Sequence, residues 1–181
     1  PMAVAVGSAA LRQAGARIAW TARLQARWSA ALLRGRGRRQ LCLLVAQAHA
    51  PHWAALCVDA ARDGSLLLRR SALDARAQRT GPQQTIAGAR LRLAGRRLTA
   101  GFPMGAADLR PGPLDWRVLT EAAGADCARR VGAPRSGRCG ALAPARRARS
   151  LTLVAPRPDG CVSGGPSLLS GARTSDLRVA L

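Results

Sequence analysis

The stretch from residue 8 to residue 34 constrains the fold of this chain most. At about 100° per residue, Ala10, Ala14, Ile18, Trp20, Leu24, Trp28, Ala31 and Leu32 fall within an arc of roughly 160°. Arg12, Arg23, Arg27 and Arg34 gather on the opposite side, and only Arg17 lies inside the apolar arc. Ser8 can cap the N-terminus, and Gly35 with Gly37 can stop the run. The spacing therefore predicts one long amphipathic helix over residues 8–34.

Short apolar runs follow, too brief for helices and bounded by turn residues. Leu41 to Ala46 reads as a buried strand, and Trp53 to Asp59 as a second. Asp63-Gly64 is a turn signal, with Ser65 to Arg70 as the returning strand. Arg90 to Leu93 and Arg96 to Thr99 flank Ala94-Gly95 and suggest a further hairpin with a basic outer face. Residues 101–148 hold several prolines and glycines with weak periodicity and read as loop. Leu151 to Val154 is a candidate strand, and Leu177, Val179 and Leu181 alternate as a short final one. The expected class is α+β, with the N-terminal helix packed on an antiparallel sheet and an irregular C-terminal extension. The corresponding division is 1–100 for helix and sheet and 101–181 for the extension.

Charge bounds the partners. The chain has 29 basic residues, every one an arginine, against 9 acidic ones, for a net charge of +20. Guanidinium is planar, permanently charged and suited to bidentate contact with phosphate or carboxylate. A polyanion is the expected partner at this density. Mutational bias in a GC-rich genome accounts equally well for arginine in place of lysine, since Lys, Asn and Tyr are all absent. It does not account for the shortage of acids.

Little enzymatic chemistry is visible. Glu121 is the sole glutamate and the aspartates are scattered, so there is no paired-carboxylate constellation. His49 and His52 lack a carboxylate or thiolate pattern around them, and the five cysteines form no CxxC pair, so no metal site is expected. Glycine-rich stretches such as Ser163-Gly164-Gly165 lack the ending of a phosphate loop. The chain reads as non-enzymatic, with no cofactor and no small-molecule substrate. Cys42 and Cys57 sit in short apolar runs separated by one connection, which puts them on adjacent or near-adjacent strands and permits a disulfide. Reduced, buried thiols are the other reading.

The order of several local words resembles the minor pseudopilins of type II secretion systems and type IV pili. These are Ala30-Ala31-Leu32-Leu33-Arg34-Gly35-Arg36, Leu41-Cys42-Leu43, Trp53 with Val58-Asp59, and Arg62-Asp63-Gly64 through Leu68-Arg69-Arg70. The resemblance covers roughly residues 8–100. The family's processing site and hydrophobic helix half are missing, although Pro1 to Val6 could be the end of that half. The resemblance implies a filament or secretion component with other pilin-like subunits as partners. It also implies a periplasmic or inner-membrane-associated location if a preceding segment has been removed. Two other functions compete: a basic protein associated with nucleic acid, for example with the ribosome, and the product of a GC-rich frame never selected for function.

The arginines supply the candidate site. Arg34, Arg36, Arg38 and Arg39 lie on a glycine-loosened turn, and Arg69, Arg70, Arg90, Arg92, Arg96 and Arg97 on or beside expected strands. Such groups can follow a DNA or RNA backbone through salt-sensitive contacts. Three of the four tryptophans are expected in the core, leaving few aromatics to stack on bases.

Overall fold

A computed structural model describes residues 6–33, 39–47, 52–74, 79–123, 138–143, 147–156 and 174–178. Its strands are β1 (Val6–Ala14), β2 (Arg17–Leu24), β3 (Arg39–Gln47), β4 (Ala54–Ala60), β5 (Leu66–Leu73) and β6 (Arg79–Thr85). They continue with β7 (Arg90–Ala94), β8 (Arg97–Pro103), β9 (Gly112–Ala123), β10 (Arg138–Ala143), β11 (Arg149–Leu153) and β12 (Thr174–Arg178). Among the described residues these form two antiparallel sheets. One has five strands in the order β12-β1-β2-β8-β7. The other has seven, β10-β9-β3-β4-β5-β6 with β11 also on β9.

The helix expected over residues 8–34 is absent, and with it the α+β class. Its place is taken by the β1–β2 hairpin, followed by a short 3-10 turn at Ala30–Leu33. The physical reason lies in alternation. Ala9, Leu11 and Gln13 on β1 and Ile18, Trp20, Ala22 and Leu24 on β2 are buried, while Arg12, Arg17, Ala19 and Arg23 are exposed. That is the period of two, and Arg17, the misfit of the helical arc, obeys it. Gly15 decides between the two patterns. It costs a helix interior about 1 kcal/mol relative to alanine, but its φ of +57° closes a two-residue turn. Gly95, with φ +59°, does the same between β7 and β8.

Residues 112–123, expected as loop, form the longest strand. β9 pairs with β3 along one edge, and on its other edge with β11 and then β10. Leu114, Trp116, Val118 and Thr120, all buried, alternate with Asp115, Arg117 and Leu119 on the other face. The irregular C-terminal extension is corrected accordingly.

The sheets face each other across one apolar core. Ile18, Trp20, Leu98 and Phe102 from the five-stranded sheet meet Leu43, Leu56, Leu68 and Trp116 from the seven-stranded one. Trp28 and Leu33, beyond β2, are buried in the same cluster. Two glutamines fasten strand ends to nearby connections. The Gln13 side chain donates to the Val154 carbonyl at 2.7 Å and accepts from the Val154 N–H at 2.7 Å. Gln47 does likewise with the Arg110 carbonyl and N–H, at 2.7 and 3.0 Å. Each amide thus imitates a rung of a sheet.

The outer face of the larger sheet carries a second apolar cluster of Cys42, Leu44, Ala55, Cys57 and Leu73, flanked by Trp53 and Leu119. Cys42 and Cys57 are directly opposite one another in the β3–β4 register and are joined by a disulfide. Arg79 lies against it, its Nη2 3.1 Å from the Cys57 sulfur.

Two outcomes test this architecture. Gly15→Ala should lower stability by about 1 kcal/mol in a urea titration, because an L side chain is strained at that φ; in a helix it would raise it by a similar amount. Gly101→Ala, whose added Cβ meets nothing within 4 Å, should cost nothing. Replacing Cys42 and Cys57 together by alanine should lower stability by about 3 kcal/mol, the chain-entropy value for a loop of about 15 residues, matching the separation of 15 here.

Candidate polyanion-binding face

The pairing of β1, β2, β8 and β7 lays their outward residues in rows across the five-stranded sheet. Arg12 is level with Ala19, Gly101 and Arg90. Next come Ala10, Thr21, Thr99 and Arg92, and then Ser8, Arg23, Arg97 and Ala94. Arg17 stands one position beyond the first row, opposite Pro103. The outward positions of these four strands hold six arginines and no acid. Everything else there is Ala, Gly, Ser, Thr or Pro, and all six arginines are exposed. β12 pairs with β1 at the far edge, with Thr174, Asp176 and Arg178 in register with Arg12, Ala10 and Ser8.

Two details set this face apart from an ordinary solvated surface. Arg23 and Arg97 are directly opposite on neighbouring strands, and like charges so placed repel. Arg17 is held flat across β8: its Nη2 donates to the Gly101 carbonyl at 3.2 Å and to the Gly88 carbonyl at 2.9 Å. A guanidinium fixed in this way offers its remaining N–H groups outward with less side-chain entropy left to lose. Arg96, on the β7–β8 turn, and Arg27, beyond β2, are exposed near the Arg23–Arg97 end. There the chain is fastened by Leu24 N–H to the Arg96 carbonyl at 2.7 Å and Trp28 N–H to the Gly95 carbonyl at 3.1 Å.

The arginines singled out in the sequence do not form one site. Arg90, Arg92, Arg96 and Arg97 belong to the five-stranded sheet. Arg69 and Arg70 lie on β5 of the other sheet and are engaged by acids. Arg69 Nε is 3.3 Å from an Asp59 oxygen, and Arg70 Nη2 is 2.8 Å from Asp108. Arg39 begins β3, half-buried. Arg34, Arg36 and Arg38 lie outside the described residues. Arg12, Arg17 and Arg23, assigned in the sequence to a helix, are the residues that complete the face. The signal for them was the alternation Arg17-Ile18-Ala19-Trp20-Thr21-Ala22-Arg23-Leu24, with Ala14-Gly15 before it.

One further concave feature lies among the described residues. A cleft of about 180 Å3 opens where Val45, Trp53, Arg70, Asp108 and Leu109 meet. There Gln47 and the Arg70–Asp108 pair pin the connection between β8 and β9, with Asp108 in the left-handed region at φ 54°. Among the described residues, no three His, Cys, Asp or Glu side chains come together so as to hold a metal ion. Compared with known protein families, curated proteins and solved structures, the chain matches none.

Arg97→Thr should relieve repulsion on this face. The variant is expected to melt no lower than the parent and to gain up to about 1 kcal/mol at low ionic strength. The difference should vanish as salt rises. A clear loss of stability would mean that Arg97 is structurally engaged rather than poised.

Proposed function

We propose that this chain is a non-enzymatic module that binds linear polyanions through the outer face of its five-stranded sheet. The observation that carries this reading is six exposed arginines on four adjacent strands with no acid among them. On the opposite sheet, by contrast, Arg69 and Arg70 both have carboxylate partners. The face meets the charged groups of its ligand and not bases. Its outward positions hold no aromatic side chain, and Trp20, Trp28 and Trp116 are buried.

A nucleic-acid backbone and other linear polyanions satisfy this reading equally. A filament role drew its motive from the order of several local words, of which a leading helix was the first. With strands in that place, nothing in the fold favours it over a free-standing binding module.

Fluorescence-anisotropy titrations with duplex DNA and with heparin, repeated across salt concentrations, test the proposal. DNA should bind with a dissociation constant of roughly 10−4 to 10−6 M at physiological salt, the range of sequence-independent binding. Replacing Arg12, Arg23, Arg92 and Arg97 by serine should flatten the log–log salt slope for DNA by about 0.9 for each phosphate that is no longer neutralised. A charge-matched control replaces Arg62, Arg110, Arg147 and Arg149 by serine, all exposed and off this face. It should leave the slope nearly unchanged. Equal slopes for the two variants would place the binding face elsewhere. Absence of salt-dependent binding to either ligand would end the proposal.

A further inference from the structure

The rows of the basic face enclose a lane, and its shape selects among polyanions. Its floor is the middle row, Ala10, Thr21 and Thr99, with Arg92 closing the β7 end and Asp176 of β12 in register beyond Ala10 at the other. Arg12 and Arg90 stand along one side, joined there by the Arg17 guanidinium lying on the Gly101 and Gly88 carbonyls. Arg23 and Arg97 stand along the other. The flanking rows are four residues apart along each strand, about 13 Å at the usual rise, and the lane runs roughly 14 Å from β1 to β7. Its walls are cationic on both sides and its floor is small, with two hydroxyls.

We infer that the ligand of this lane is a sulfated polysaccharide lying across the strands. The inference rests on the polyanion reading and narrows it. A sulfated sugar chain carries anionic groups on both edges, so both walls find partners, while ring hydroxyls meet Thr21 and Thr99. Nucleic acid fits less well. A single strand has its charge along one edge and bases along the other, where the lane offers guanidinium in place of a stacking surface. A duplex is a rod with its phosphates on the outside, so it meets the arginine tips and not the Thr21 and Thr99 floor between them. The Cys42–Cys57 disulfide is an independent observation in the same direction. Disulfides persist in oxidising compartments, outside the cytosol, where extracellular sulfated glycans are met and nucleic acids are scarce.

The test compares four probes at one physiological salt concentration by titration calorimetry. They are a size-defined heparin oligosaccharide, its desulfated counterpart, and single-stranded and duplex DNA matched to it in total charge. The sulfated oligosaccharide should bind at least about tenfold tighter than either DNA, a difference of about 1.4 kcal/mol. Desulfation should abolish binding. Thr21→Phe keeps every arginine and suits a strand, but raises a ring from the lane floor. It should weaken the oligosaccharide several-fold while leaving duplex DNA unchanged. DNA binding as tightly as the oligosaccharide would overturn the glycan inference and leave the polyanion reading standing. Undiminished binding of the oligosaccharide by Thr21→Phe, with its melting temperature intact, would overturn the lane. Failure of all four probes to bind would remove both readings together.

Discussion

The pairing of β2 with β8 is the interaction on which the rest depends. It joins residues 17–23 to residues 97–103 and brings two hairpins, remote in sequence, into one sheet. On the inward side it stacks Ile18 against Phe102, Trp20 against Ala100 and Ala22 against Leu98 in direct register. These residues supply much of the smaller sheet's share of the core, and burying side chains the size of Ile18, Leu98 and Phe102 is worth roughly 1.5–3 kcal/mol each. On the outward side the same register sets Arg23 beside Arg97. The apolar face cannot form in this register without creating the cationic one, so the repulsion is a cost that the burial offsets.

The two sheets treat their outer surfaces in opposite ways. The smaller presents arginines on a floor of small residues. The larger carries a second apolar cluster, sealed by the Cys42–Cys57 disulfide and covered in part by Arg79 and by Arg117, whose guanidinium lies 5.5 Å from the Trp53 ring centre. Its charges are locally balanced, as at Arg69 with Asp59. A chain of net charge +20 could have spread its excess evenly. The strand order concentrates part of it on one side.

How much of this could be read from the residues is uneven, for identifiable reasons. β3, β4, the Asp63-Gly64 turn, β5, and the β7–β8 hairpin were legible because short apolar runs between turn residues leave few alternatives. The N-terminal hairpin was not. Alanine is acceptable at helix and strand positions alike, and the many alanines between residues 8 and 34 completed a helical arc at no apparent cost. The informative residues were fewer: Ile18, Trp20 and Leu24 at even spacing, Arg17 and Arg23 at odd, and Gly15 where a helix would least want it. β9 was obscured by the prolines and glycines around it, although Leu114, Trp116 and Val118 alternate plainly. Half of the basic face was legible as Arg90, Arg92, Arg96 and Arg97. The other half depended on β2 being a strand, and on a long-range pairing that no local pattern specifies.

The two buried glutamines carry a consequence for how the sandwich resists shear. Gln13, next to last in β1 of the smaller sheet, grips Val154, just past β11 of the larger. Gln47 ends β3 of the larger and grips Arg110, on the way from β8 to β9. Apolar contacts between two sheets are non-directional and tolerate sliding. A primary amide bonded through both its oxygen and its nitrogen does not, because any displacement spoils the donor and the acceptor bond together. Asparagine is one methylene too short to span the same gap, and glutamate would set a second acceptor against a carbonyl. Gln13 thus ties one sheet to the other, and Gln47 ties the β8–β9 crossover to β3, by chemistry that hydrophobicity cannot supply, at two positions where only one side chain combines the reach with the polarity.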